Sequence, residues 1–120
     1  MPKTKLSKTD PAILAAVADS FKVLSEGSRL QILTFVKSGS MNVMEIAEDT
    51  SLGQANLSKH LKVLTQGGIL SRQPKGTSTY YEIADPVIFE FCELACDHIT
   101  ERVLQQAESL KALRNNTGVF

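Results

Sequence analysis

The sequence lacks any apolar segment long enough to cross a membrane, since a spanning helix needs about 20 apolar residues. It also lacks a recognisable signal peptide, because residues 1–9 are polar and basic and no apolar stretch follows them. No internal repeat and no long linker is visible along the 120 residues. We therefore expect a cytoplasmic protein that has no membrane partner.

Motifs of the common enzyme classes are missing as well. The chain shows no Gly-rich phosphate loop, no Ser-His-Asp pattern and no carboxylate pair. Its two cysteines, Cys92 and Cys96, lack the Cys-x-x-Cys spacing of redox enzymes. The sequence predicts a protein that is not an enzyme and that has no cofactor, with a thiol enzyme as the rival interpretation.

Charge is balanced overall but unevenly distributed. Hydrophobic residues make up 42% of the chain and charged residues 22%, and the formal net charge is zero. These values fit one small domain with a modest core, to which a dimer would add burial. Residues 52–84 contain four Lys or Arg and only one acid, Glu82, whereas residues 85–101 contain acids and no Lys or Arg. The basic middle is the expected nucleic-acid face.

Residues 51–65 predict a short helix with one apolar and one polar face. Leu57, Leu61 and the Val63–Leu64 pair recur at helical spacing and are expected in the core. Short amides, hydroxyls and amines, which suit base edges and phosphates, remain on the outer face. The outward residues are Gln54, Asn56, Ser58, Lys59 and Lys62.

The flanking segments complete a recognisable unit. Residues 44–52 form another short amphipathic run that breaks near Ser51–Gly53, so the two runs predict a helix-turn-helix. Gly67–Gly68 should end the second helix. Residues 69–83 then predict two strands around a polar turn, which is a β-wing.

Four segments in this order carry a family resemblance. They are Phe21–Leu33, the run Leu57-Ser-Lys-His-Leu-Lys-Val-Leu64, Gly67-Gly68-Ile69 and Tyr80-Tyr81. Over roughly residues 10–100 the chain resembles the ArsR/SmtB family of winged-helix repressors. The resemblance implies a mainly α fold with a small β-hairpin wing, in the order α-α-α-α-β-β-α, and a homodimer formed by the first and last helices.

The predicted boundaries follow from local signals. Asp10–Pro11 opens a first helix that ends near Leu24, because Asp is a good cap and Pro suits the first turn. A second helix covers 26–36, with Leu30, Ile32, Leu33, Phe35 and Val36 largely buried. Asp85–Pro86 caps a long last helix through Leu110. We expect flexible tails at 1–9 and 114–120 and one domain over 10–113.

The family resemblance also implies how this protein would bind DNA. A two-fold dimer places two recognition helices about 34 Å apart, one turn of DNA, so the expected partner is double-stranded DNA with an inverted-repeat operator. Gln54 and Asn56, in the first turn of the helix, are the candidates for reading bases. Ser58 and Lys59 are assigned to base or phosphate, and Lys62 to the backbone.

The wing residues and His60 are also assigned roles. The wing residues expected to contact phosphate or the minor groove are Arg72, Lys75, Thr77 and Thr79. Tyr80 and Tyr81 alternate sides, so one should be core and the other near DNA. We expect His60 to connect the helix to neighbouring backbone rather than to bind a metal. Two alternatives stay open: the lysines form only a solvated helix face, or the winged helix contacts only protein.

Metal sites of the resembling family are poorly matched. Members commonly bind metals near the first helix of the helix-turn-helix or on paired last helices. The first location carries Asn42 and Met44 and no cysteine. The second carries Asp97–His98, whose side chains point about 100° apart on a helix, and Leu110 and Leu113 stand where the partner helix should supply ligands. We therefore predict no metal site.

Cys92 and Cys96 are the candidate sensing residues. They share a face of the last helix at a Cβ separation of about 5 to 6 Å, whereas a relaxed disulfide needs about 3.8 Å. Across a two-fold axis, the same face could form an intersubunit disulfide or a persulfide bridge, or hold an arsenite-type ion. Thr34 stands where some thiol-sensing members have a cysteine, so the usual two-helix disulfide is not expected. The alternative is that both cysteines are buried hydrophobes.

Overall fold

The computed structural model describes residues 6–117, with side chains from 6 to 115. The chain forms two compact units, the first ending at Pro86 and the second beginning at Val87. Parts of both predicted tails, residues 1–5 and 118–120, lie outside the described residues. The elements are α1 (Pro11–Leu24), α2 (Gly27–Val36), β1 (Met41–Asn42), α3 (Val43–Thr50), α4 (Gln54–Gln66), β2 (Leu70–Lys75), β3 (Ser78–Ile83) and α5 (Pro86–Thr117).

Helix α1 begins and ends where the sequence predicted. Asp10 is its N-cap residue and Pro11 occupies the first turn, where the missing N–H costs nothing. The Asp10 carboxylate makes no cap bond to the helix; it accepts a 2.6 Å hydrogen bond from the Ser7 backbone N–H instead. The helix leaves Leu14, Val17 and Phe21 exposed.

The core of the first unit is built on α2 and the apolar stripe of α4. Ile32, Leu33 and Val36 are buried as predicted, while Leu30 and Phe35 are half-buried. The remaining fully buried large side chains come from α3, α4 and the start of the wing, and they are Ile46, Leu57, Leu61, Leu64, Ile69 and Leu70.

Helix α3 is preceded by a strand that the predicted element order does not contain. Asn42 and Met41 pair with β3, and Asn42 then caps α3. Its side chain accepts from the Glu45 N–H at 2.9 Å, and the Glu45 carboxylate accepts from the Asn42 N–H at 3.0 Å. This reciprocal capping box fixes where α3 begins. At its other end Ser51 takes a left-handed conformation, with φ 58°, and turns the chain toward α4.

Helix α4 ends in a Schellman motif. The Ile69 N–H donates to the Leu64 carbonyl at 3.0 Å, and the Gly68 N–H donates to the Thr65 carbonyl at 3.1 Å. Gly68 has φ 76°, a conformation that side-chain-bearing residues rarely adopt. Leu64 and Ile69 are both buried. The predicted end of the helix at Gly67–Gly68 is confirmed, and the first strand of the wing begins two residues later.

The wing is an antiparallel hairpin that shares a sheet with β1. The strand order is β1-β3-β2, so β2 is an edge strand and tolerates Pro74. Leu70 pairs with Ile83 at one end and Lys75 with Ser78 at the other. The turn between the strands is residues 76–77, where Gly76 has φ 63°.

Helix α5 makes up all of the described part of the second unit. It is 32 residues long, and from residue 96 to 115 every described side chain is exposed. Its exposed large apolar side chains include Val87, Phe91, Leu94, Ile99, Val103, Leu104, Leu110 and Leu113. No helix in the described part of the chain has the length and apolarity that a membrane span requires.

Candidate nucleic-acid interface

Helix α4 presents its polar residues to solvent because its leucines are anchored beneath it. Leu57, Leu61 and Leu64 are each at most 1% exposed. They recur every three or four residues, so one side of the helix is fixed against the core and the other is left open. All five predicted recognition residues lie exposed, and they are Gln54, Asn56, Ser58, Lys59 and Lys62.

His60 is half-buried on the flank of α4, and its partner is a side chain. Its Nδ1 lies 3.4 Å from Nη1 of Arg29 in α2. Arg29 also donates from Nε to the Val23 carbonyl at 2.6 Å and from Nη2 to the Lys22 carbonyl at 3.2 Å. Because a guanidinium can only donate, Nδ1 of His60 is the acceptor in this contact. The guanidinium thus joins the carboxyl end of α1 to the recognition helix.

The wing residues divide between two faces of the hairpin. Residues directly opposite one another on paired strands share a face. Arg72 is opposite Tyr81, and Thr79 opposite Pro74 lies on that same side. Tyr81 is buried with 8% exposure, so this is the side that packs on the helices. Thr77 lies in the turn.

The other face of the wing carries Lys75. Its ammonium lies 5.3 Å from the centre of the Tyr80 ring, within the range of a cation–π contact. On the same face Gln73 donates to the Glu82 carboxylate at 3.0 Å. Arg72 and Lys75 therefore project from opposite sides of one strand, and Glu82, the acid of the basic middle region, is on the Lys75 side.

Two cavities adjoin the exposed residues of α4. The first, here named the Lys62–Arg72 cavity, has a volume of about 380 Å³. It is lined by Val43, Ser58, Leu61, Lys62, Thr65, Gln66, Arg72 and Tyr81. The second has about 320 Å³ and joins Gln54 to the wing turn through Thr77 and Thr79. Each cavity is thus lined by residues of α4 and of the wing.

The two cysteines differ in environment. Cys92 is buried and Cys96 is exposed, and neither is in a disulfide. Burial raises the pKa of the Cys92 thiol above its ordinary value, and the neighbouring Cys96 raises it further. A raised pKa leaves less thiolate, the reactive form, so both its burial and its raised pKa make Cys92 less reactive. Within the described residues, no three His, Cys, Asp or Glu side chains are grouped to hold a metal ion.

Three features of the interface were not predicted from the sequence. The Arg29 contact joins residues 31 apart in the chain, and no local pattern indicates such a pair. The Lys62–Arg72 cavity likewise depends on tertiary packing. The capping box could have been found, because Asn42 followed by Glu45 fits its spacing.

Comparison with known proteins decides the family. Residues 26–72 match the model of the bacterial regulatory proteins of the arsR family. The transcriptional repressor SdpR of Bacillus subtilis is 34% identical over 68 residues, which are 57% of this chain and 76% of that repressor. The chain belongs to the ArsR family. The matched segment runs from the N-cap of α2 into β2, so it includes the whole helix-turn-helix.

Further relatives agree with this ArsR-family assignment. The arsenical resistance operon repressor of Bacillus subtilis is 30% identical, over 67% of this chain and 77% of its own. A solved structure, the homodimeric winged helix-turn-helix DNA-binding domain of a possible ArsR-family transcriptional regulator from Mycobacterium bovis, is 31% identical. It superposes with a TM-score of 0.71 over 82% of this chain and 92% of that one. The predicted family and winged helix-turn-helix fold are confirmed.

Proposed function

We propose that this ArsR-family chain is a homodimeric transcriptional repressor that binds an inverted-repeat operator through α4 and the wing. The observation that carries the proposal is the exposed face of α4, where amides, a hydroxyl and two lysines stand over three buried leucines. Base edges in the major groove are read by such short polar groups, and phosphates are held by the cations. Gln54 and Asn56 read bases, while Ser58, Lys59 and Lys62 contact base or backbone.

The wing contributes contacts from more than one side. Arg72 and Thr79 lie on the side that packs on the helices, Thr77 lies at the turn, and Lys75 lies on the outer face. The cavity that joins Gln54 to Thr77 and Thr79 supports a wing turn that follows the DNA next to the first turn of α4. These four residues contact backbone phosphates or the minor groove of the DNA.

The dimer forms through the first and last helices. Helix α1 leaves Leu14, Val17 and Phe21 exposed. On α5, Ile99, Val103 and Leu110 are 4 and 7 residues apart and share one side of the helix. Their exposed fractions are 49%, 54% and 63%. Burial of such stripes between two copies would stabilise a two-fold dimer and set the spacing of its recognition helices. The similar domain from Mycobacterium bovis is homodimeric.

The proposed signal is an oxidant or reactive sulfur species that acts on Cys92 and Cys96. Oxidation by peroxide would join a thiol of each protomer, form one S–S bond and reduce the peroxide to two waters. Exposed Cys96 would react first, because the raised pKa of Cys92 keeps that thiol protonated. A bridge across the two-fold axis favours a dimer geometry in which the recognition helices no longer match the groove spacing.

A metalloid such as arsenite is the second candidate signal. One of the relatives is an arsenical resistance operon repressor, and soft thiolates are the ligands that such an ion prefers. Within the described residues a single chain offers no cluster of three ligands. Such a site would therefore need both protomers.

The test is operator affinity on the DNA upstream of the protein's own gene. We expect tight binding by the reduced protein with a steep salt dependence, and release by peroxide, polysulfide or arsenite that thiol reverses. Binding that none of these agents changes would exclude thiol sensing and leave a repressor whose cysteines are structural. Absence of salt-dependent binding to any duplex would contradict the repressor itself and favour a winged helix that contacts protein.

A further inference from the structure

The Lys62–Arg72 cavity has the charge of an anion site. Its eight lining residues include two cations, Lys62 from α4 and Arg72 from β2, and no Asp or Glu. A concave site lined by one sign of charge concentrates the opposite charge within it. Nor does either cation form an ion pair among the residues that the structure describes. Both are available to a ligand.

Two hydroxyls add neutral donors to the same cavity. Tyr81 is only 8% exposed, yet its hydroxyl has no hydrogen-bond partner in the described part of the chain. No fully buried side-chain polar atom in the described residues lacks a partner, so the Tyr81 hydroxyl keeps some solvent exposure, and Tyr81 is one of the residues that line the cavity. Ser58 lies four residues before Lys62, on the same flank of α4. The Thr65 hydroxyl is already used, since it donates to the Leu61 carbonyl at 2.6 Å.

We propose that the Lys62–Arg72 cavity binds a single phosphate of the DNA backbone, with Lys62 and Arg72 on the same phosphate and the Tyr81 and Ser58 hydroxyls as further donors. This inference rests on the proposed function. A phosphodiester carries one charge and two unbridged oxygens, which suits paired cations and hydroxyl donors. The DNA backbone is the favoured source because the cavity adjoins the exposed face of α4 that carries Lys59.

Arg72 and Lys75, both assigned from sequence to the wing's DNA contacts, would have different roles. Arg72 would act with the recognition helix, as a clamp on the backbone beside the major groove, while Lys75 on the opposite face of β2 would act with the wing. A cation from the helix and a cation from the strand on one phosphate would also fix the helix relative to the wing when DNA is bound. Sequence preference would not change, because a phosphate is the same at every step.

The salt dependence of binding distinguishes one shared phosphate from two. The slope of log affinity against log salt is about −0.9 for each phosphate neutralised, so two cavities of a homodimer account for about 1.8. Lys62→Ala and Arg72→Ala each leave one cation on the phosphate, and we expect each to change the slope little. The double variant should lower its magnitude by about 1.8. The matched control combines Lys62→Ala with Lys75→Ala, which would contact different phosphates. In this double variant the change in slope should equal the sum of the changes in the two single variants.

Fluorescence anisotropy with the full chain would measure this on a duplex from upstream of its gene and on an unrelated duplex. We expect Tyr81→Phe to weaken binding by the same factor on both duplexes with an unchanged melting temperature. Thr34→Ala, which removes a hydroxyl of α2 that does not line the cavity, is the control and should bind like the original protein.

Three results would overturn the proposal in different ways. Slope losses of about 1.8 for each single variant and about 3.6 for the double would show two separate phosphates. Unchanged DNA binding by the double variant, together with inorganic phosphate shifting the NMR signals of Arg72 and Tyr81, would show a site for a free anion. No salt-dependent binding by the original protein would contradict the proposed function as well.

Discussion

Helices α4 and α5 use their apolar residues in opposite ways. The three leucines of α4 are at most 1% exposed, whereas on α5 Val103 and Leu110 are 54% and 63% exposed. The apolar stripe of α4 is covered within its own unit, and this covering aims the polar face at solvent. From Ile99 onward, the large apolar side chains of α5 are at least 49% exposed in the described chain. One helix has its orientation fixed by the fold, and the other leaves a row of apolar side chains exposed, the surface that we propose pairs with a second copy.

This contrast predicts where stability and assembly can be separated. Substitutions under α4 should unfold the first unit and so abolish DNA binding. Substitutions on α5 should leave that unit folded and alter the association of two chains.

The largest effect is expected beneath α4. Leu57→Ala removes a fully buried side chain and leaves a cavity, so it should lower the free energy of unfolding by about 2 to 5 kcal/mol. Urea denaturation followed by circular dichroism measures this change. Lys59→Ala, on the exposed side of the same helix, is the control and should stay within about 0.5 kcal/mol. Equal losses at the two positions would mean that α4 does not have a buried and an open side.

The next effect is expected on α5. Val103→Glu places a charge on the exposed apolar stripe of both protomers, and we expect the dimer dissociation constant to rise about 100-fold, or ~2.7 kcal/mol. Sedimentation equilibrium measures this constant. Gln105→Glu adds the same charge about 200° around the helix and should leave the dimer intact. Dissociation by both variants, or by neither, would remove this stripe from the dimer surface.

Within the exposed face of α4, base reading and backbone binding should differ. Asn56→Ala should change the preference among operator sequences by about 1 to 3 kcal/mol, because an amide pairs with particular base edges. Lys59→Ala should weaken binding to all sequences alike and flatten the salt dependence. Competition binding with a set of mutated operators separates the two. Equal loss on every sequence would exclude Asn56 as a base-reading residue.

The Arg29 contact should give a smaller change. Arg29→Lys retains the charge but loses the planar fork that reaches two carbonyls and His60, so we expect a loss of about 1 kcal/mol in stability. Thermal unfolding at matched concentrations measures it. Lys22→Arg, which changes an exposed side chain of α1, is the control. A stability equal to that of the original protein would show that the contact is incidental.

The cysteines should affect sensing without affecting binding. Cys92→Ser with Cys96→Ser should preserve operator affinity and abolish release by oxidant. In the original protein, alkylation should modify Cys96 before Cys92, because the pKa of Cys92 is raised and less thiolate is present at neutral pH. Mass spectrometry of partially alkylated protein shows the order. A double variant that still releases DNA under oxidant would place the sensor elsewhere.

Local signals allowed most of the fold to be predicted. Asp10–Pro11, Gly67–Gly68 and the spacing of the leucines are cues within a few residues of the features they determine, and the helices they predicted are present. Strand β1 was missed because two residues carry no periodicity, and its pairing with Tyr80–Tyr81 is a long-range contact. The Arg29 contact could not be predicted from sequence, because it depends on how α2 packs on α4. The opposite faces of Arg72 and Lys75 could have been predicted, because they are three residues apart on one strand and successive side chains of a strand alternate.

The most direct test of the account is a hydroxyl-radical footprint on the DNA upstream of the gene, made with the reduced protein. If two copies present α4 to adjacent major grooves, two half-sites in inverted orientation should be protected, about one helical turn apart between centres. Val103→Glu should lose this paired pattern at concentrations where the original protein retains it. A single protected half-site that Val103→Glu leaves unchanged, or no protection at all, would contradict a two-fold dimer that binds DNA through α4.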